Sequence, residues 1–383
     1  MKPLVYMFSA NRAFGGGEVF LIRLAALLGL GQRFVVLSAP VLLLQQGLEA
    51  AGTGFIALPG QSGLASRYAF VQWCWQRRSA LRQGRAVVVL NGRGAAYFAP
   101  VVRWCAGCAP VVICHTELSS PRGDLKEWLY GKALGAAGTL VAVSETVGTQ
   151  HRLRWPSLSV VAIPNWLDSA PFASRPAGHD VRASALEVAV VGRLDEQKGM
   201  HDIVAACSGV AGIALNFYGD GPMRADLEKT AARLSNLTVH GHVTDLAHRL
   251  PGHAMLLSAS YSESFSYAVA EGINAGLLCI ASDIPAHREL LGEEYPESLY
   301  FAPGDICAMM IAIATARAML SEPDGQAAHD AVRRAQARLR LRNGPELARR
   351  RYEAVLFGSG GAGPEDGLPA VLANAAEDHV ARH

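Results

Sequence analysis

Two basic side chains, Arg193 and Lys198, bracket an acidic turn in VGRLDEQKG at 191–199, just ahead of a helical pattern that opens at Met200. Arginine grips phosphate oxygens through a planar fork of donors, lysine adds a point charge, and a helix start offers free N–H groups. Such a set can clamp a diphosphate without a metal. The plain alternative is a solvated pair of Lys198 with Asp195 or Glu196. Farther on, SYSESFSYAVAEGINAG at 260–276 places Glu263 in a serine-rich loop and Glu271 eight residues later, in a helix that starts near Tyr267. A carboxylate accepts two O–H donors at once, which suits a vicinal diol. One glutamate can hold a ribose and the other a hexose, with the cations on a diphosphate between them. Taken alone, Glu271 reads more simply as a solvated helix residue.

Four further loops carry chemistry. NRAFGGGE at 11–18 sets Gly15, Gly16 and Gly17 before a helix, so backbone can approach a ligand and the helix start can face anionic oxygen. It is neither GxGxxG nor a Walker A loop, and a tight strand-to-helix turn explains it equally. FYGDGP at 217–222 reads as a turn at the mouth of a sheet, with Asp220 capping the next helix. Backbone groups from Gly241 to Val243 can recognise a planar base, or form a plain loop. His115 ends a strand in the first half and faces a cleft if two domains oppose each other.

Those loops need strands to hold them. Apolar runs recur at 4–9, 34–38, 86–90, 111–115 and 140–144, then at 187–191, 213–219, 237–240, 254–258 and 278–282, each followed by a turn and a helical pattern. Continuous apolar strands alternating with helices imply parallel sheets covered on both faces, and two such series imply two Rossmann-like α/β domains. A length of 383 residues with 50% hydrophobic and 18% charged residues suits two cores and excludes global disorder. The expected organisation is a domain at 1–164, a linker at 165–184, a domain at 185–344, a helix at 345–357 and a disordered tail at 358–383.

No apolar run reaches the ~20 residues of a membrane span. The first ten residues read as a strand, not a signal peptide. Seven cysteines, an odd number in mostly apolar surroundings, read as reduced thiols of a cytoplasmic protein. Cys105 and Cys108 form a lone CxxC without a second pair.

Taken in order, these segments resemble the GT-B glycosyltransferases, specifically the large retaining family (family 4, or group 1) marked by a Glu-x7-Glu element. GGGE at 15–18 is similar to its GGxE loop, VAVSE at 141–145 to VxxSE, and IPNWLD at 163–168 to PNGID. VGRLDEQKG and FYGDGP follow the family pattern, and Glu263–Glu271, Ala275-Gly276 and Ala281-Ser282-Asp283 complete it. The resemblance covers nearly the whole chain and implies two Rossmann-like domains facing across a cleft, with the last helix crossing back to the first domain. It implies that Arg193 and Lys198 neutralise the departing diphosphate in place of a metal, so that no cofactor is needed. Glu263 then contacts the donor sugar, Glu271 the nucleotide ribose and His115 the transferred sugar. Gly16 and Gly17 approach the phosphates or the acceptor. The donor loop continues through Ser264, Phe265 and Ser266, where serines replace the family's glycines and narrow the space beside the sugar. Trp166 replaces the glycine of PNG, and Gly272 stands where alanine is common.

The charge is uneven. Residues 1–165 carry 16 Lys and Arg against 6 Asp and Glu, and the remainder 19 against 27. Residues 67–85 (RYAFVQWCWQRRSALRQGR) look helical, with Arg67, Arg78, Arg82 and Arg85 in one sector and aromatics, Trp73 among them, on its flanks. An arginine stripe bordered by aromatics suits an anionic lipid surface; the alternative is buried aromatics beneath a solvated face. The expected partners are a UDP- or GDP-linked sugar, a glycan or lipid-linked acceptor and an anionic membrane at the inner face of the cytoplasmic membrane. No zinc finger, RNP run or basic zipper points to nucleic acid. The rival functions are a non-catalytic sugar- or nucleotide-binding protein of the same fold and a dinucleotide-dependent oxidoreductase, the latter disfavoured by the missing GxGxxG.

Overall fold

Segments such as LVYMFS, AVVVLN and LCIAS carry no charge and are apolar over most of their length, which fits strands packed on both faces. In the computed structural model they build two all-parallel sheets. The structure describes residues 3–11, 16–58, 63–118, 124–167, 185–208, 210–322 and 325–358. The first sheet contains β1 (Leu4–Ser9), β2 (Phe34–Ser38), β3 (Gly54–Ala57), β4 (Ala86–Asn91), β5 (Val111–Cys114), β6 (Thr139–Ala142) and β7 (Val160–Ala162), in the order β3-β2-β1-β4-β5-β6-β7. The second contains β8 (Leu186–Val191), β9 (Ile213–Tyr218), β10 (Leu237–Gly241), β11 (Met255–Ser258), β12 (Leu278–Ser282) and β13 (Tyr300–Phe301), in the order β10-β9-β8-β11-β12-β13.

Each sheet starts in its middle, runs out to one edge and then crosses to the other side. The reversal falls between β1 and β4 in the first sheet and between β8 and β11 in the second. Loops at the carboxyl ends of those strand pairs diverge and leave a crevice. Alternate residues feed opposite faces: Val5, Met7 and Val89 enter one apolar cluster of the first domain, while Phe8, Val88 and Leu90 enter the other. The second domain has one large cluster, to which helices Ile306–Ser321 and Gln326–Asn343 contribute.

Helix Pro345–Phe357 leaves the second domain and sets Ala348, Tyr352 and Leu356 into the first domain's core, where Tyr352 meets Trp166 and Phe20 edge-on or tilted. Asn343 Nδ2 donates to the Asn165 carbonyl (2.8 Å) and its own carbonyl accepts from Leu167 N (3.3 Å). Residues 165–167, the start of the expected linker, are thus packed into the seam, Trp166 being fully buried. Residues 168–184, and the tail beyond 358, lie outside the described residues.

Three short strands escape the sequence reading: β3, β7 and β13, of two to four residues, at sheet edges. His115 follows β5 and does not belong to it. The segment 67–85 is not one helix: Gly63–Gln76 and Arg78–Arg82 are separate, with Arg77 at the break. No single described helix is long and apolar enough to cross a membrane.

Candidate active site

The loop after β8 is built on close backbone approach. Gly199 has φ +66°, and a Cβ there would fall on the Ala259 carbonyl oxygen. A Cβ on Gly219 would fall on Gly192 O, and one on Gly221 on Leu194 O, while Leu194 N donates to Asp220 O and Met223 N to Leu194 O. FYGDGP therefore braces the loop that carries Arg193. Asp220 does not cap a helix; it accepts from Gly221 N (2.8 Å) and pairs with Arg224 (3.0 Å). Asp195 accepts from Lys198 N, which closes the turn. The ion pairs differ from the plain sequence alternative: Arg193 Nε meets Asp195 Oδ2 (3.2 Å) and stays 69% exposed, whereas Lys198 reaches across to the next loop.

That next loop follows β11 and holds Glu263, whose side chain is 7% exposed. Glu263 Oε2 pairs with Lys198 Nζ at 2.9 Å, while Oε1 accepts from Ser260 Oγ (2.7 Å) and Ser266 Oγ (3.2 Å). His287 Nε2 lies 3.8 Å from Oε1. Burial by itself would raise the Glu263 pKa, but contact with His287 and the Lys198 charge outweigh it and hold it down to about 2. His287 is fully buried, with Nδ1 at 2.8 Å from the Ser282 carbonyl and Nε2 at 3.3 Å from Ser258 Oγ.

Ser266 is fully buried; its hydroxyl holds Glu263 and caps helix Tyr267–Asn274, so it does not narrow the space beside a sugar. Ser264 is half-buried. The Phe265 ring packs into the second domain's core against Tyr267. A Cβ on Gly272 would come 2.9 Å from Leu256 Cδ1 and 3.1 Å from its Cβ, so alanine there requires the Leu256 side chain to shift. Glu271, in the second turn of that helix, has its pKa raised by burial, opposed by Arg23 of the first domain at 4.0 Å. The Arg23 guanidinium also lies over the Tyr267 ring at 4.5 Å. Gly241 (φ +70°) ends β10 and its carbonyl accepts from Gly219 N, which ties it to the Arg193 loop; Val243 packs partly against the core.

Across the cleft, Gly16 and Gly17 open helix Gly16–Leu28, and a Cβ on Gly16 would meet nothing within 4 Å. Glu18 in its first turn is buried and accepts from Asn11 Nδ2 (2.8 Å) and Ser9 Oγ (3.3 Å). His115 Nε2 lies 2.7 Å from Asn91 Oδ1, and its ring stands edge-on to Phe20. Burial pushes the His115 pKa down to about 4, so the ring is neutral near pH 7. Glu117, two residues on, accepts from Ser262 Oγ of the second domain (3.2 Å) and has its pKa raised by burial and by Glu263. Asn91, Glu117, Arg23 and His287 are members that sequence reading missed; Asn91 ends β4 and Glu117 lies in the loop after β5, so a search of every strand end and the loop that follows finds them.

Arg67, Arg78 and Arg82 are all exposed, Arg67 on helix Gly63–Gln76 and the other two on helix Arg78–Arg82. Trp73 does not join them: only 7% exposed, it sits in the core against Tyr6 and Phe70. Two other tryptophans take its place on the surface. Trp75 and Trp104, 46% and 62% exposed, stack at 5.1 Å, and the Arg78 guanidinium covers the Trp75 ring at 4.1 Å. Arg82 donates to the Trp104 and Cys105 carbonyls, tying the two helices together.

Residues 185–318 match the family model for glycosyl transferases group 1. This stretch runs from β8 through nearly all of helix Ile306–Ser321 and so contains Arg193, Lys198, Glu263 and Glu271. The sequence matches no curated protein. Among solved structures, Anabaena HepE in complex with UDP superposes with a TM-score of 0.74 at 16% identity, covering 93% of this chain and 99% of that one. A glycosyltransferase from Rickettsia africae gives 0.71 at 15%, over 92% and 97%. The lipopolysaccharide outer core galactosyltransferase WaaB gives 0.66 at 14%, over 91% and 98%. At these identities the likeness is one of fold: two Rossmann-like domains in the GT-B arrangement.

Proposed function

We propose that this protein is a retaining glycosyltransferase that moves a hexose from a nucleoside diphosphate sugar to a hydroxyl of a glycan or lipid-linked acceptor in cell-surface glycan synthesis. The observation that carries the reading is the Lys198–Glu263 pair, which joins the loops after β8 and β11 at the reversal point of the sheet, with Arg193 in the same loop as Lys198. The group 1 match over this domain supports it, as do HepE complexes with UDP and with UDP-glucose.

In this reading the diphosphate lies against Arg193 and Lys198, which stabilise the charge that grows on it as the sugar C1–oxygen bond breaks. The acceptor oxygen bonds to C1 on the face the diphosphate leaves, and its proton passes to the departing phosphate oxygen. No enzymic nucleophile or metal is required; alignment and leaving-group charge supply the catalysis. Glu263 and Glu271 hold the sugar and ribose hydroxyls. His115, neutral and half-buried, faces the transferred sugar. The exposed Trp75–Trp104 stack, flanked by Arg78 and Arg82 and with Arg67 exposed on the same helix as Trp75, makes peripheral contact with an anionic membrane at the cytoplasmic face, where a lipid-linked acceptor resides.

Incubation with a panel of UDP- and GDP-sugars and lipid-linked acceptors tests the proposal. Release of nucleoside diphosphate in the presence of EDTA is expected, with the anomeric configuration kept in the product. Removing one charge-stabilising side chain, as in Arg193→Ala, is expected to slow turnover by about 10²–10³. No turnover with any donor, or turnover indifferent to Arg193→Ala and Glu263→Ala, refutes it.

A further inference from the structure

Asn91 ends β4 beside β1, at the reversal point of the first sheet, and is 2% exposed. Its Oδ1 is engaged by His115 Nε2 at 2.7 Å. Its Nδ2 is buried too, and has no hydrogen-bond partner among the described residues. A carboxamide nitrogen carries two donors, and leaving both dry and unpaired is unfavourable enough that native structures rarely do so.

The orphan amide lies beside the start of helix Gly16–Leu28. A Cβ on Gly17 would lie 3.9 Å from Asn91 Nδ2 and 3.2 Å from Asn11 Nδ2, so glycine lets both amides approach the first turn of that helix. That helix has 13 residues, and its first N–H groups are donors without intrahelical partners. Glu18 in that first turn accepts from Asn11 and Ser9 through Oε1. The first helix N–H groups and Asn91 Nδ2 thus offer donors that a ligand oxygen would satisfy. Because Asn91 Oδ1 accepts from Nε2–H, the imidazole is fixed with its other nitrogen as an acceptor, and the accepting amide becomes a better donor.

We propose that Asn91 is a substrate-binding residue: its Nδ2 donates to an oxygen of the bound sugar nucleotide at the start of helix Gly16–Leu28, while its Oδ1 orients His115. The inference rests on the nucleotide-sugar reading above and adds a first-domain contact to it. The oxygen belongs either to the diphosphate or to a sugar hydroxyl.

Calorimetric titration of the full chain and of Asn91→Ala and Asn91→Asp with UDP, UDP-glucose, GDP and GDP-mannose tests it. Asn91→Asp still offers His115 an acceptor but turns an oxygen, in place of a donor, toward the ligand. Both variants are expected to bind at least about 10-fold more weakly, the loss of one hydrogen bond to a polar or charged acceptor. Equal losses with the diphosphate and its sugar assign a phosphoryl oxygen; a loss confined to the sugar nucleotide assigns a hydroxyl. Wild-type affinity in Asn91→Asp, for a nucleotide the wild type binds, overturns the proposal and leaves Asn91 only a support for His115. Should the alanine variant not fold, Asn91→Asp and Asn91→Ser carry the comparison. Failure of the wild type to bind any of the nucleotides removes the glycosyltransferase reading, and this inference with it.

Discussion

Lys198 Nζ lies 2.9 Å from Glu263 Oε2, and the pair bridges two loops that are 65 residues apart in sequence but adjacent at the reversal point of the second sheet. Removing one partner leaves the other as an uncompensated, largely buried charge, whereas removing both does not. Lys198→Met is therefore expected to destabilise the fold by about 3 kcal/mol, and Lys198→Met/Glu263→Gln by less. Urea unfolding of the two singles and the double, read as a double-mutant cycle, checks it; strict additivity would mean the pair is uncoupled.

The same pair sets a pH dependence. Glu263 has its pKa depressed from 4.5 to about 2, so the native state binds fewer protons there than the unfolded state. Its contribution is fully present above about pH 4.5 and is lost as pH falls through about 2, on the order of 3 kcal/mol in all. The stability gap between wild type and Glu263→Gln should shrink across that window and stay flat above it. A gap that widens toward acid contradicts the assignment.

Gly199 separates backbone strain from space. Both Gly199 and Gly84 adopt positive φ, but a Cβ on Gly84 meets nothing within 4 Å while one on Gly199 strikes the Ala259 carbonyl. Gly84→Ala is expected to cost about 1 kcal/mol, the strain alone, and Gly199→Ala at least about 2–3 kcal/mol together with a weakened diphosphate site. Thermal melts and nucleotide titrations of both variants decide it; equal costs would show that the close approach does not matter.

Glu289 of the second domain accepts from Glu145 N (2.8 Å), Thr146 N (3.0 Å) and Thr146 Oγ1 (2.9 Å), capping a first-domain helix. Helix starts favour a carboxylate. Glu289→Ala should weaken the docking of the second domain on this helix by about 1–3 kcal/mol, raising the radius of gyration in solution scattering and the KM for donor, with each domain still folded. An unchanged scattering profile would show that other contacts set the domain angle.

The tryptophans divide surface from core. Trp75→Ser/Trp104→Ser is expected to abolish sedimentation with phosphatidylglycerol vesicles, to leave nucleotide binding intact and to change stability little. Trp73→Ala should instead cost about 3–5 kcal/mol of stability, the usual loss for a large buried aromatic. Vesicle binding that survives the first double substitution contradicts the membrane contact.

Much of the scaffold was legible because an apolar strand covered on both faces is a local signal: β1, β2 and β12 start and stop at the residues where their apolar runs do. β3, β7 and β13 are too short and too peripheral to leave such a run. Arg193, Lys198 and Glu263 stand out in the sequence because two loops concentrate charged side chains after strands, and the structure brings Lys198 and Glu263 into contact; Glu271 follows in the helix after the second loop. What links them does not stand out: the carboxylate's grip by Ser260, Ser266 and His287 is made by residues whose types are ordinary anywhere in a chain. Trp73 and Trp75 show the limit most plainly. Both lie in helix Gly63–Gln76, where two residues at about 100° each place them on opposite faces, but which face is inward is set by the packing of Trp73 against Phe70 and Tyr6 and not by residue type.

The central claim is that Arg193 and Lys198 grip a diphosphate, and titration calorimetry with UDP, GDP and the corresponding nucleosides addresses it most directly. The account predicts that at least one diphosphate binds, that its nucleoside binds far more weakly, and that Arg193→Ala and Lys198→Met remove most of the difference. Equal affinity for nucleoside and diphosphate, or binding of NAD(P) with none of either, would contradict it.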